Sequence, residues 1–212
     1  MCIRDSYYTM RLVRGRSLEE ALAAHPGKAG LAARIKLVRH FLAACEAVAF
    51  AHKAGIVHRD IKPQNIMVGE FGETVVVDWG LARPATDDEG DWQRAVLTRG
   101  LAAETMYGEI VGTPAYMSPE QARSGGQAID ARADVWSLGA TLYRLLAGAP
   151  PFAASDSETV LEHVRVGAIP SLEAAMPEAP RELTAIAMRA LARAPDDRYP
   201  DARAMAADIA AW

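Results

Sequence analysis

Residues 58–65 read His-Arg-Asp-Ile-Lys-Pro-Gln-Asn, and neither the 3.6-residue period of a helix nor the alternation of a strand produces that mixture. Pro63 in its middle argues for a loop. What flanks the loop limits the fold. Before it, Leu31, Ile35, Val38, Leu42, Cys45, Ala49 and His52 recur at four- and three-residue steps, the stripe of one amphipathic helix over about 31–52. Leu37, Phe41, Ala44 and Val48 form a second stripe, so that helix should be buried on most sides, and Gly55 is suited to its left-handed end. After the loop, Asn-Ile-Met-Val, a glycine-bearing turn at 69–72 and Thr-Val-Val-Val-Asp-Trp-Gly predict a short β-hairpin. Asn65 stands before its first strand and Asp78 after its second, so two oxygen-bearing side chains distant in sequence meet at one end.

The rest of the chain is mostly helical by pattern. The Tyr7–Val13 run is aromatic and β-branched and predicts a strand ended by Gly15. Ser17 then opens a short helix, with Glu20 in the position of a capping box. Residues 82–111 have no sustained period and read as a long loop. From 130 onward come a helix that is apolar on several faces and ends at Gly148, then amphipathic segments beginning at 157, 181 and 201. The expectation is an α+β unit, mainly helical, with one strand, a hairpin and about seven helices.

Composition excludes several function classes. With 50% hydrophobic residues the 212-residue chain can bury one substantial core. A net charge of −4 and a pI near 5.8 provide no basic field for nucleic acid, and the 19 arginines are scattered. Two cysteines form no disulfide framework, and the five histidines lack metal-ligand spacing, so a reducing, cytoplasmic setting is expected. Glu46 interrupts the longest apolar stretch, so no membrane segment is expected.

The chemistry these residues suit is phosphoryl transfer. A carboxylate and an amide, Asp78 and Asn65, match the hard oxygen ligands of Mg²⁺, which takes few protein ligands and completes its shell with phosphate and water. Asp60 can accept a proton from an incoming hydroxyl, and Lys62 supplies a positive charge for the transferring group. Such a reaction needs mainly positioning and charge stabilisation.

Here the sequence resembles the eukaryotic-type protein kinases, in the style of their bacterial serine/threonine members. His58-Arg59-Asp60 with Lys62 and Asn65 is similar to the catalytic loop, and Asp78-Trp79-Gly80 to the metal-binding triplet, with Trp where Phe is usual. Gly112 to Glu120 resembles the end of the activation segment, and Asp134 to Gly139 the buried helix beneath the catalytic loop. With Arg198 where the family places the partner of Glu120, five motifs stand in register from about residue 7 to the C-terminus. The resemblance implies a kinase-like fold, ATP and Mg²⁺ as cofactors, and protein substrates bearing Ser or Thr, the last from Lys62 and Thr113. It implies that Asp60 and Lys62 are catalytic and that Asn65 and Asp78 hold the metal. Met67 becomes the floor of the adenine pocket, and Met10, Arg11, Leu12 and Val13 the gatekeeper and hinge. Arg59 implies control by phosphorylation, with Thr98 and Thr105 as acceptors. Asp134 becomes a backbone anchor, Glu120 and Arg198 a structural ion pair, and His58 and His52 core residues.

None of the sixteen glycines forms the Gly-x-Gly-x-x-Gly phosphate lid, and the Ala33–Lys36 imitation of a strand lysine lies inside a helix. The expected organisation is therefore a partial kinase domain over 7–212, lacking its N-terminal lobe, after a non-native start at 1–6. A pseudokinase or scaffold, and a small-molecule phosphotransferase, are the alternatives. The first would need a lost motif, and the second lacks the Lys62 pattern and the Pro119-Glu120 anchor.

Overall fold

The computed structural model describes residues 14–84, 114–123, 129–154, 156–167 and 169–212. The expected strand at 7–13, with the hinge residues Met10 to Val13, lies outside them. So do most of the 82–111 loop, Thr98, Thr105 and Thr113.

The first described elements are β1 (Arg16–Ser17) and α1 (Leu18–Ala23). Ser17 and Glu20 form the expected capping box, each side chain bonding the other's backbone N–H. The apolar stripe then splits into α2 (Leu31–Ile35) and α3 (Val38–Lys53). This corrects the single helix over 31–52. At the break, Leu37 and His40 donate to carbonyls three residues back, tightening the turn. The two pieces have different neighbours: α2 packs on α5 (Ala131–Ala147), whereas α3 packs mainly on α9 (Ala202–Ala211) and the hairpin. A hydrophobic stripe reports burial and cannot report a change of partner.

The expected hairpin is present as β3 (Ile66–Val68) and β4 (Thr74–Val76), antiparallel in the register Ile66↔Val76, Met67↔Val75 and Val68↔Thr74. β1 adds to its other edge through Ser17↔Met67 and Arg16↔Val68, a pairing that two residues cannot announce by pattern. His40 docks the hairpin on α3: its Nδ1–H donates to Thr74 Oγ1 at 2.9 Å, while Nε2 accepts from Arg39. Burial, helped by Arg39 and Arg16, holds the pKa of His40 below the ordinary histidine value. A second pairing joins β2 (Ile56–Val57) to β5 (Arg83–Pro84), on either side of the hairpin in sequence.

The remaining helices are α4 (Pro119–Ala122), α6 (Ser157–Val166), α7 (Leu172–Ala175) and α8 (Arg181–Ala190). The core centres on α5, where Val135, Trp136, Leu138, Leu142, Leu145 and Leu146 are inaccessible to solvent. Gly139 lets α8 approach it closely: a Cβ there would come within 2.8 Å of the Ala190 side chain.

Arg34 ties the first part of the chain to the end of α5. Fully buried, it donates Nε to Leu145 O at 2.7 Å, Nη2 to Leu146 O at 2.9 Å, and Nη1 to the carbonyls of His25 and Gly27. Those α5 carbonyls belong to the last helical turn, which has no intrahelical donors. Gly148 ends the helix at φ 83°, against the Arg34 guanidinium. Burial, with Arg144 nearby, lowers the Arg34 pKa, yet the guanidinium stays charged. Replacing Arg34 by Met strands these carbonyls and should destabilise the chain by about 3 kcal/mol or more. Urea unfolding monitored by circular dichroism measures it. A loss below about 1 kcal/mol would mean that water replaces the guanidinium.

Candidate active site

The site lies where α3 ends, β2 passes and the hairpin begins, and its fixed point is Asp134 in the first turn of α5. The Asp134 carboxylate is fully buried and accepts three N–H groups. Oδ1 takes the Arg59 amide at 2.8 Å; Oδ2 takes the His58 amide and the His52 Nε2–H, both at 2.8 Å. A carboxylate away from water needs such donors. In return it holds Arg59 at φ 69°, a left-handed conformation that a branched or long side chain rarely adopts. His52 is more than core filling: its Nδ1 accepts from the Ala202 amide, so α9 is joined to the same carboxylate.

Asp60 follows Arg59, and its surroundings are polar on one side. Asp60 Oδ2 accepts from Lys62 Nζ at 3.0 Å and from Asn65 Nδ2 at 3.1 Å. Asn65 Nδ2 also donates to the Asp60 carbonyl at 2.8 Å. Among the described residues, Oδ1 of Asp60 carries no hydrogen bond. It is therefore the oxygen with lone pairs for an incoming hydroxyl. The side chains of Asp60 and Lys62 retain 11% and 15% of their exposure, partly screened from water but reachable.

The hairpin brings Asp78 to this place through Asn65. The Val77 amide donates to the Asn65 carbonyl at 2.9 Å, and the Val77 carbonyl accepts from His58 Nε2 at 3.2 Å. Asp78, next in sequence, is exposed and sits at φ 60° and ψ 61°. Two left-handed non-glycine residues, Arg59 and Asp78, thus flank the Asp60–Asn65 pair, and they are the only ones among the described residues. Strain of this kind persists where surrounding contacts over-determine the backbone. His58 provides several of those contacts. Its Nδ1 accepts from the Asp60 amide at 3.3 Å, and its ring meets that of Trp79.

The donor set fits Mg²⁺. Both Asn65 N–H groups face Asp60, which leaves the amide oxygen as its remaining donor atom, and Asp78 offers an exposed carboxylate. Among the described residues no three His, Cys, Asp or Glu side chains gather as an all-protein cage. Two oxygens completed by phosphate and water are what a magnesium–nucleotide site requires. Met67 lies half-buried on β3, between Val75 and Ser17 of its neighbouring strands.

Glu120 and Arg198 pair bidentately, Nη1–Oε1 at 2.6 Å and Nη2–Oε2 at 2.9 Å, both buried. Arg198 also donates to the carbonyls of Ala192, Arg132 and Arg193, so all five of its N–H groups are used, and it stacks 4.9 Å from the Trp136 ring centroid. Sequence reading passed over Gln121. It forms a capping box with Ser118 at the start of α4 and donates Nε2 to the Arg59 carbonyl at 3.0 Å. The Ser-x-x-Gln spacing was its visible signal; the reach to Arg59 had none. Ser137 was also missed: its Oγ–H donates to the Tyr116 carbonyl at 2.8 Å.

Residues 4–208 match the protein kinase domain. The chain belongs to the protein kinase family. Serine/threonine-protein kinase PknB of Mycolicibacterium smegmatis is 41% identical over 167 residues, covering 78% of this chain and 24% of that protein. PknB of Mycobacterium tuberculosis gives the same identity and coverage. A probable serine/threonine-protein kinase PknB of Corynebacterium glutamicum is 34% identical over 207 residues, 96% of this chain and 29% of that protein. The chain thus spans about a quarter of the length of the curated relatives it matches. The kinase fold here is the expected α+β arrangement, mainly helical, and none of its described helices is long and apolar enough to cross a membrane.

In this kinase domain, Asp134→Asn keeps the shape but places an NH₂ against backbone donors on one side. The substitution should speed amide exchange at His58 and Arg59 by about 10- to 100-fold, equivalent to 1.4–2.8 kcal/mol at 1.4 kcal/mol per decade. Hydrogen exchange read by NMR is the measurement, and unchanged protection at both amides would show that the loop holds without the carboxylate.

Proposed function

We propose that this chain is the catalytic half of a serine/threonine protein kinase, transferring the γ-phosphate of ATP to Ser or Thr hydroxyls of proteins. The observation that carries the reading is Asp60, with one oxygen bonded to Lys62 and Asn65 and the other open. In the reaction, the substrate hydroxyl gives its proton to Asp60 Oδ1 while its oxygen bonds to the γ-phosphorus. The bond from that phosphorus to the β–γ bridging oxygen breaks, and ADP leaves. Lys62 offsets charge on the transferring group. Asn65 and Asp78 would hold Mg²⁺, which supplies charge neutralisation of the phosphates when bound.

Further roles belong to the same proposal. Met67 floors the adenine pocket, and the backbone at Met10, Arg11, Leu12 and Val13 binds the adenine edge. Arg59 receives a phosphate carried by Thr98 or Thr105, and Thr113 favours hydroxyl substrates of the Ser/Thr type. Upstream sequence beyond these 212 residues contributes the lid and the lysine over the phosphates, and the setting is cytoplasmic. The pair Glu120–Arg198, with the Gln121 bond to the Arg59 carbonyl, favours a protein kinase over a small-molecule phosphotransferase. It ties the segment that would receive a polypeptide to the loop that would act on it. The hydrogen bonds from Lys62 and Asn65 to Asp60 support an active kinase over a pseudokinase.

In a longer chain that includes the upstream lobe, Asp60→Asn should lower kcat by about 10²–10⁴ with the KM for ATP nearly unchanged. Asp78→Asn should also raise the magnesium and nucleotide concentrations needed. Steady-state kinetics over a magnesium series decides this, and wild-type turnover in both variants would overturn the role assignments. Residues 1–212 alone should transfer no labelled phosphate above an Asp60→Ala control, because positioning dominates this chemistry. Transfer above that control would show that the upstream lobe is dispensable.

A further inference from the structure

The hairpin that brings Asn65 and Asp78 to one end is fastened to α3 by a single polar side chain. Thr74 is the first residue of β4, and His40 Nδ1–H donates to its Oγ1 at 2.9 Å. Among the described residues this is the only side-chain hydrogen bond between α3 and the hairpin. The ladder carries the fixation along the strands. Thr74 pairs with Val68, Val75 with Met67 and Val76 with Ile66, and the Val77 amide then closes on the Asn65 carbonyl at 2.9 Å.

The His40 ring can make these contacts in one protonation state. It is 4% exposed, and Arg39 Nε–H donates to its Nε2 at 3.2 Å. A donor at that nitrogen requires a lone pair there, so a proton on Nε2 would displace Arg39. Arg16 approaches from the sheet. It pairs with Val68, which pairs with Thr74, and cross-strand partners share one face. The charged groups acting on the ring are therefore two cations, Arg39 from its own helix and Arg16 from β1, while Thr74 from β4 carries no charge. A histidinium here would be buried against like charge.

We propose that His40 is a positioning residue that holds the hairpin, and with it Asn65 and Asp78, only while its ring is neutral, so that acid releases the hairpin from α3. Its meaning for the site rests on the reading of Asn65 and Asp78 as metal ligands; the clasp itself does not. Burial, then Arg39 and Arg16, keep the folded-state pKa of His40 below the ordinary value. The hold is therefore complete above the unfolded-state value of about 6.5 and is lost as pH falls through the lower, folded one.

The test uses the ¹⁵N-labelled chain between about pH 7.5 and 5, as wild type, His40→Asn and Arg39→Gln. Asparagine keeps an N–H donor near the Nδ1 position and does not titrate. Arg39 is exposed, so its replacement removes a cation and leaves the core alone. The reporters are the amides of Val77 and Gly69, which bond to the carbonyls of Asn65 and Glu73. In wild type their protection factors should fall by up to about tenfold per pH unit below about pH 6.5. The fall should flatten in His40→Asn and shrink in Arg39→Gln. Mn²⁺ is the second probe: the concentration that broadens the Asn65 and Asp78 signals should rise in acid in wild type, and much less in His40→Asn. A flat wild-type profile would overturn the proposal. An equal fall in His40→Asn would also overturn it, since another group would then be responsible, and so would a fall of wild-type size in Arg39→Gln. Equal protection of Val77 and the α5 amides in acid would mean that hairpin and core open together, which contradicts the release. If protection falls as expected but Mn²⁺ broadens neither signal at neutral pH, the metal reading of Asn65 and Asp78 fails and the clasp stands.

Discussion

A buried carboxylate organises this molecule. Asp134 has no access to water, and three N–H groups replace its hydration: two from consecutive amides of the loop at 58–59 and one from His52. A carboxylate desolvated without them would be strongly unfavourable. The requirement acts in both directions. The helix α5 can keep an acid in its first buried turn only if the loop folds over it, and the loop can hold Arg59 at positive φ only while the acid grips both amides. His52 extends the dependence to α9 through the Ala202 amide. The candidate active-site loop is thus suspended from the centre of the core, and its geometry inherits the rigidity of α5.

A buried ion pair adds a second anchor. Glu120 has its charge matched by Arg198, whose remaining donors are used on three carbonyls. Removing either partner would leave an uncompensated charge, a loss of about 3–5 kcal/mol in comparable sites. The pair fixes α4, and Gln121 of α4 carries that fixation to the Arg59 carbonyl. The peptide unit at Arg59 is therefore held from two directions, its amide by Asp134 and its carbonyl by Gln121. An aspartate at the next position can then keep one carboxylate oxygen committed to Lys62 and Asn65 and the other open.

Much of this was legible beforehand, because it depends on local chemistry. The Ser17–Glu20 capping box, the hairpin over 66–76, the helix end at Gly148 and the grouping of Asp60, Lys62 and Asn65 follow from residue type and spacing within a dozen positions. Interactions of that range are encoded by neighbours in the chain, and periodicity and turn preferences report them directly. The kinase family itself was also legible, since several such local signals occur in one order.

Tertiary structure alone decided the rest. The break at Lys36–Leu37 arises because α2 and α3 face different partners, and both partners look alike to an apolar stripe. Arg34 carries no sequence signal of its role until the end of α5 surrounds it with carbonyls. His52 reads as core until Asp134 and Ala202 stand on either side of its ring, and Trp79 reads as a bulky substitute until its N–H finds Val76. For Arg34 and His52 the hydrogen-bond requirement is met by groups far away in sequence, and for Trp79 it depends on the backbone angle at Asp78. Chain connectivity determined which polar residues had to be near the loop. Only folding, by removing water from them, determined which one each had to bond.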